Sequence, residues 1–179
     1  MAAILFLFLS LGFSAHAGGL ERIEVYFSPK GGCTEAIVRE LKRATNSVRI
    51  QSYSFTSAPI AEAVVAAHRR GVKVTAVLDD SQESEKYSSA TFLHNQGVET
   101  LTDAKHAIAH NKTMFVDGST VITGSFNFTK AAEERNAENL LIIRDAVVAG
   151  KYLENFEDHA RHARPYQRNE GEKKQRKEK

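Results

Sequence analysis

The run His110-Asn111-Lys112-Thr113-Met114-Phe115-Val116-Asp117-Gly118-Ser119-Thr120-Val121-Ile122-Thr123-Gly124-Ser125-Phe126-Asn127 reads as a β-hairpin carrying polar side chains at both open ends. Thr113 to Val116 and Thr120 to Thr123 are rich in β-branched and aromatic residues, and Asp117-Gly118 supplies the residue types a tight hairpin turn takes. Residues two apart on a strand point the same way. His110 and Lys112 therefore project side by side if the strand begins at or before His110. Ser125 and Asn127 share a face if their segment is extended. The hairpin folds the second pair back beside the first, so an imidazole, an ammonium, a hydroxyl and a carboxamide meet on one patch.

Outward from this run, strand and helix patterns alternate. Ile23 to Phe27 alternates as a strand, and Glu35 to Ala44 has helical spacing with Ala36, Ile37 and Leu41 inward. Val48 to Phe55 is a second strand. Ser57 is an N-cap, Pro59 lies just inside a helix whose apolar face is Ile60, Val64 and Ala67, and Gly71 closes it. Val72 to Leu78 is strongly β-like. A helix near Ser89 to Gln96 ends at Gly97, and Val98 to Leu101 makes a short strand. Leu140 to Ile143 is another strand, and Val147 to Phe156 a final amphipathic helix. The alternation predicts one α/β domain over 18–163, a layered sandwich with a mixed central sheet flanked by helices.

With 179 residues and 42% apolar content the chain suits one domain, large enough for a core without disulfides. Cys33 is the only cysteine, which excludes an intramolecular disulfide and a multi-cysteine zinc site. After Gly31-Gly32, near a helix start, it reads as a small core residue rather than a thiol nucleophile. The net charge of +2 is too small to argue for nucleic acid. Residues 1–17 read as a secretory signal, with an apolar Ala2 to Phe13 and a small-x-small Ala15-His16-Ala17. That predicts a periplasmic or secreted protein. No Lys or Arg precedes the apolar run, so an uncleaved membrane anchor is the alternative. From Arg161 onward basic residues outnumber acidic ones without apolar periodicity, which predicts a solvated, disordered tail over 164–179.

The hairpin patch suits phosphodiester chemistry without a metal or cofactor. Lys112 neutralises the charge spread over the non-bridging oxygens, and Ser125 and Asn127 donate fixed hydrogen bonds. His110, with an unperturbed pKa near about 6.5, serves as nucleophile or acid near neutrality. Asp117 is an odd number of positions from Lys112, so alternation turns it away, and holding the hairpin is its expected job. A zinc pair of His106 and His110 lacks partners, His159 and His162 read as a solvated helix face, and Asp79-Asp80 as a strand-end loop rather than a magnesium site.

His110-x-Lys112, Asp117 and Gly124-Ser125-x-Asn127 at these intervals resemble the HKD signature of the phospholipase D superfamily. Ser52 to Thr56, Val64 to Leu78 and Thr123 to Ala132 are similar to its small bacterial Nuc-type endonucleases, and the likeness runs from about Ile23 to His159. The resemblance implies catalytic roles across the motif, Asp117 included. It implies a two-step displacement through a phosphohistidine, with a second histidine as acid. One motif per chain implies a homodimer with the active site at the two-fold interface. It also assigns Glu138 to orienting the catalytic imidazole. A nuclease acting on DNA or RNA with little sequence preference is the expected function. The alternatives are a phospholipase D acting on lipid head groups and a nucleic-acid-binding dimer without turnover.

Overall fold

The computed structural model describes residues 22–168. Its strands are β1 (Arg22–Ser28), β2 (Ser47–Ser52), β3 (Lys73–Asp79), β4 (Glu99–Asp103), β5 (Lys112–Val116), β6 (Thr120–Gly124), β7 (Glu138–Arg144) and the short β8 (Arg164–Pro165). Its helices are α1 (Cys33–Arg43), α2 (Ala58–Arg69), α3 (Ala90–Asn95), α4 (Lys130–Glu134) and α5 (Ala146–His162). All eight strands form one sheet in the order β1-β7-β6-β5-β2-β3-β4-β8. The pairs β2–β3 and β3–β4 are parallel and the other five are antiparallel, which is the expected mixed sheet.

Alternation along the central strands divides the core in two. Ile50, Leu78, Met114 and Ile122 join Ile37, Leu41, Ile60, Val64 and Leu93 beneath the first three helices. Their neighbours Val77, Phe115 and Val121 pack against Ala149 and Phe156 of α5 on the opposite face. The central strands are therefore apolar on both faces, which explains their near-continuous hydrophobic runs. The α5 cluster includes no residue of β1, and on that edge strand Ile23, Val25 and Phe27 stay exposed, Phe27 by 67%.

An ion-pair network fastens that edge. Arg144 reaches Glu24 on β1 at 2.7 Å and the buried Glu40 on α1 at 2.8 Å. Hydrogen bonds from Tyr26 and Arg144 hold the Glu24 carboxyl down at about 2.

Two expectations about the C-terminal region need correction. The last helix runs on to His162, and the chain after it is not a solvated tail through its first residues. Arg164–Pro165 pairs antiparallel with the edge of β4, Arg164 meets Glu83 at 2.7 Å, and Tyr166 is buried with its hydroxyl 2.7 Å from Thr91 Oγ1. A buried aromatic and a paired sheet edge outweigh the local charge. The predicted signal at 1–17 and the tail beyond 168 lie outside the described residues. No helix among the described residues is long and apolar enough to cross a membrane.

Candidate active site

The register brings the ends of five strands to one edge of the sheet. Ser52 lies opposite Lys112, Met114 opposite Ile122, and Gly124 opposite Leu140, so β2 and β6 end where β5 and β7 begin. Ser28, the end of β1, lies opposite Glu138 at the same edge.

β5 starts at Lys112, two residues later than strand geometry for His110 would require. Tyr53 keeps the pair together instead. Its backbone N–H donates to Asn111 O at 2.8 Å, extending the β2–β5 pairing by one step. Its ring centroid is 4.6 Å from that of His110, and Lys112 Nζ sits 5.3 Å from the ring on a cation–π contact. Lys112 Nζ also donates to His110 O at 2.9 Å. Just upstream, Ala109 N–H donates to Asp79 Oδ2 at 2.7 Å, so the buried Asp79 anchors the approach to His110. Ser81 binds the other oxygen, and both contacts make Asp79 a brace of the loop.

His110 is exposed while Lys112 is buried. Burial lowers the Lys112 pKa, and the nearby Glu138 carboxylate opposes that shift without cancelling it. The arrangement sets an open imidazole above a desolvated cation, where each charge interaction is stronger than in water.

Ser125 and Asn127 do share a face, because the intervening Phe126 and then Phe128 are fully buried. Gly124 makes the bend possible at φ 148°, where a Cβ would lie 2.2 Å from Asn139 O. Ser125 Oγ accepts from Asn139 N–H at 3.1 Å, leaving the hydroxyl proton free to donate outward. Among the described residues, the buried Asn127 Oδ1 has no hydrogen-bond partner. That orphaned acceptor suits a donor group, while a phosphate oxygen takes the Nδ2 hydrogens of the same amide.

Glu138 accepts from Asn136 Nδ2 at 3.1 Å, and within one chain no hydrogen bond among the described residues joins it to His110. Asp117 lies at the far end of β5, opposite the active edge. Its carboxylate takes the backbone N–H groups of Thr45, Asn46 and Ser47 and the Thr45 hydroxyl at 2.8 to 2.9 Å. The structure thus places Asp117 away from His110, with its carboxylate tying the turn to the segment that leads into β2 rather than bracing the hairpin itself. Cys33 is buried, and burial pushes its thiol up to about 11, which makes it inert. His159 and His162, expected in solvent, turn inward on Asp103. Tyr53 and Asn139 carry no sequence signal of their own beyond the run Ser52 to Thr56, because both act through neighbours across the sheet.

Residues 37–160 match the family model described as "Cardiolipin synthase, PLD-like domain". The phospholipase D of Rickettsia felis is 42% identical over 135 residues, 75% of this chain and 68% of that protein. The mitochondrial cardiolipin hydrolase of Xenopus tropicalis is 35% identical over 117 residues, 65% of this chain and 56% of that protein. The chain thus spans about two thirds or less of these relatives' lengths. Among solved structures, the phospholipase D family member Nuc from Salmonella typhimurium superposes with a TM-score of 0.78 at 38% identity, over 82% of this chain and 98% of Nuc. Helicobacter pylori NucT shares the fold, with a TM-score of 0.76 at 24% identity over 81% of this chain and 99% of its own. By its family model, its relatives and its fold, this chain belongs to the phospholipase D superfamily of phosphodiesterases.

Proposed function

We propose that the protein is a metal-independent endonuclease of low sequence specificity, working as a homodimer through a phosphohistidine. His110 attacks phosphorus, a P–N bond forms, and the P–O bond to the leaving group breaks as His110 of the partner subunit protonates that oxygen. Water, deprotonated by the same partner imidazole, then attacks phosphorus and breaks the P–N bond. Lys112, the Ser125 hydroxyl and the Asn127 amide hold the non-bridging oxygens. Glu138 orients an imidazole across the interface.

The observation that carries this reading is the exposed His110 set through Tyr53 over the buried Lys112. The proposed mechanism calls for a second imidazole, and the surroundings of His110 support its coming from a partner. Among the described residues no other imidazole contacts His110, and three of the others gather on Asp103. The nuclease assignment draws on the likeness to Nuc over almost that protein's whole length and on the exposure of His110. The names of the curated relatives favour a second reading, a phospholipase acting on a lipid phosphodiester.

Parallel assays on plasmid DNA and on phosphatidylcholine or cardiolipin vesicles, both in excess EDTA, test the proposal. DNA cleavage is expected, with His110→Asn losing at least about 10³-fold and retaining its fold, since proton-transfer roles alone carry about 10²–10⁴-fold. Mixed wild-type and His110→Ala subunits should form impaired hybrids. Turnover unchanged in His110→Asn would overturn the mechanism, and cleavage confined to vesicles would overturn the substrate assignment.

A further inference from the structure

Away from the hairpin, four ligand-bearing side chains converge on one point. Asp103 ends β4 and is completely buried. His106 Nδ1 lies 2.9 Å from its Oδ2, His159 Nδ1 2.7 Å and His162 Nε2 3.2 Å. The four donor atoms all fall within 4.8 Å of one another. They come as two i, i+3 pairs, one across the end of β4 and one on a single turn of α5. The first pair looks out from the sheet edge and the second faces it from the helix, so Asp103 and His159 meet across a separation of 56 residues.

Hydrogen bonding alone does not account for this arrangement. A carboxylate oxygen has two lone pairs, and the His106 and His159 nitrogens already occupy both. The buried His162 Nε2 lies farther from the same oxygen, at 3.2 Å, and is not aligned for a well-formed hydrogen bond to it. Three protonated imidazoles around one carboxylate would also repel one another beside Lys105 and Arg161, which line the same open cleft. An ion at the centre would instead take one ring-nitrogen lone pair from each imidazole. Around a tetrahedral ion bound at about 2.0–2.1 Å, donor atoms stand about 3.3 Å apart. The three distances to Asp103 Oδ2, 2.7 to 3.2 Å, reach that spacing with shifts of tenths of an ångström, and the imidazole nitrogens, within 4.8 Å of one another, close toward it by turning about their side-chain bonds.

We propose that Asp103, His106, His159 and His162 form a site for one zinc-class transition ion, which clasps the loop leading into His110 to the last helix. Three imidazoles and one carboxylate select zinc and its neighbours over magnesium or calcium, which take oxygen donors. Four protein ligands leave no open position for water, so the ion is structural and takes no part in phosphoryl transfer. Its place in the chain gives it a consequence. His106 lies four residues before His110, and Asp79 holds the same loop through Ala109. The cleft open to solvent beside Asn155 and Asp158 provides the entry path.

The test uses the full chain, purified without a polyhistidine tag, stripped with chelator and desalted. Zn²⁺ titration followed by elemental analysis and native mass spectrometry should give one equivalent per chain, and Zn²⁺ should raise the melting temperature. Co²⁺ in its place should give the intense visible bands of a four-coordinate ion. His106→Ala, on an exposed loop where refolding is not at issue, and His159→Ala should each weaken binding at least about 100-fold. His68→Ala should bind as the wild type does. Absence of a stoichiometric ion in the wild type, or full binding by both site variants, would overturn the proposal. None of these readouts uses a phosphodiester, so the outcome is independent of the assignment of His110.

Discussion

Replacing Asp117 separates a structural motif residue from a catalytic one. Its carboxylate accepts four hydrogen bonds from residues 45–47, the segment that leads into β2. Thr45 and Asn46 are exposed, so their freed groups return to water at a loss of about 0.5–1 kcal/mol each, whereas the half-buried Ser47 N–H costs about 1–2 kcal/mol. These losses come to about 3 kcal/mol. The residue also sits at φ 52°, which costs alanine about 1 kcal/mol more. Asp117→Ala should therefore lose about 4 kcal/mol, or about 8–16 °C in melting temperature for a domain of this size. Asp117→Asn tolerates the backbone and keeps one acceptor oxygen, so it should lose about half as much. Urea unfolding measures the stabilities, and turnover is compared where every variant is folded, with kcat expected within about threefold of wild type.

The pH dependence gives a second check on the same residue. Burial opposes the charged form of Asp117, but the amide hydrogen bonds from Ser47, Asn46 and Thr45 outweigh it and lower the pKa. A carboxyl lowered on folding contributes stability above its unfolded value of about 3.9 and loses it as pH falls through the folded value. The gap between wild type and Asp117→Asn should therefore be full at neutral pH and close below about pH 4. A variant with wild-type unfolding that had lost turnover 100-fold would refute the reasoning.

Two further outcomes follow from the site. Glu138→Gln removes the charge that counters the burial of Lys112, so the Lys112 pKa should fall further and the alkaline limb of the kcat profile should move to lower pH; an unmoved limb would detach Glu138 from Lys112. Gly124→Ala forces a Cβ to within 2.2 Å of Asn139 O at φ 148°, so about 3 kcal/mol or more should be lost in chemical denaturation, and wild-type stability would show that the bend is not needed.

Much of this site was legible because its chemistry is local. Asp117-Gly118 specifies a reversal whatever surrounds it, and both residues do take positive φ, 52° and 70°. The reversal pairs β5 with β6, Met114 opposite Ile122, which brings the segment after Gly124 to the end at which Lys112 starts β5. The proximity of His110 to Lys112 was also legible, but for an incomplete reason. The strand begins only at Lys112, and the imidazole is held by Tyr53, 57 residues earlier in the chain. Nothing in the spacing of Tyr53 marks it, since its role depends on β2 lying beside β5.

The same cause explains the misreading of the C-terminal region up to Tyr166. His159, His162 and Arg164 sit at the charged end of the last helix and just beyond it, and their partners are distant in the chain, Asp103 lying 56 residues before His159 and Glu83 81 residues before Arg164. Periodicity reports which way a side chain faces along its own element. It carries no record of which element stands opposite. Local patterning was therefore enough for the element types, the hairpin and the proximity of His110 to Lys112. The Tyr53 bridge, the far-end anchorage of Asp117 and the histidine cluster arise when eight strands take one order out of many, because that order alone decides which distant groups share a buried, low-dielectric contact.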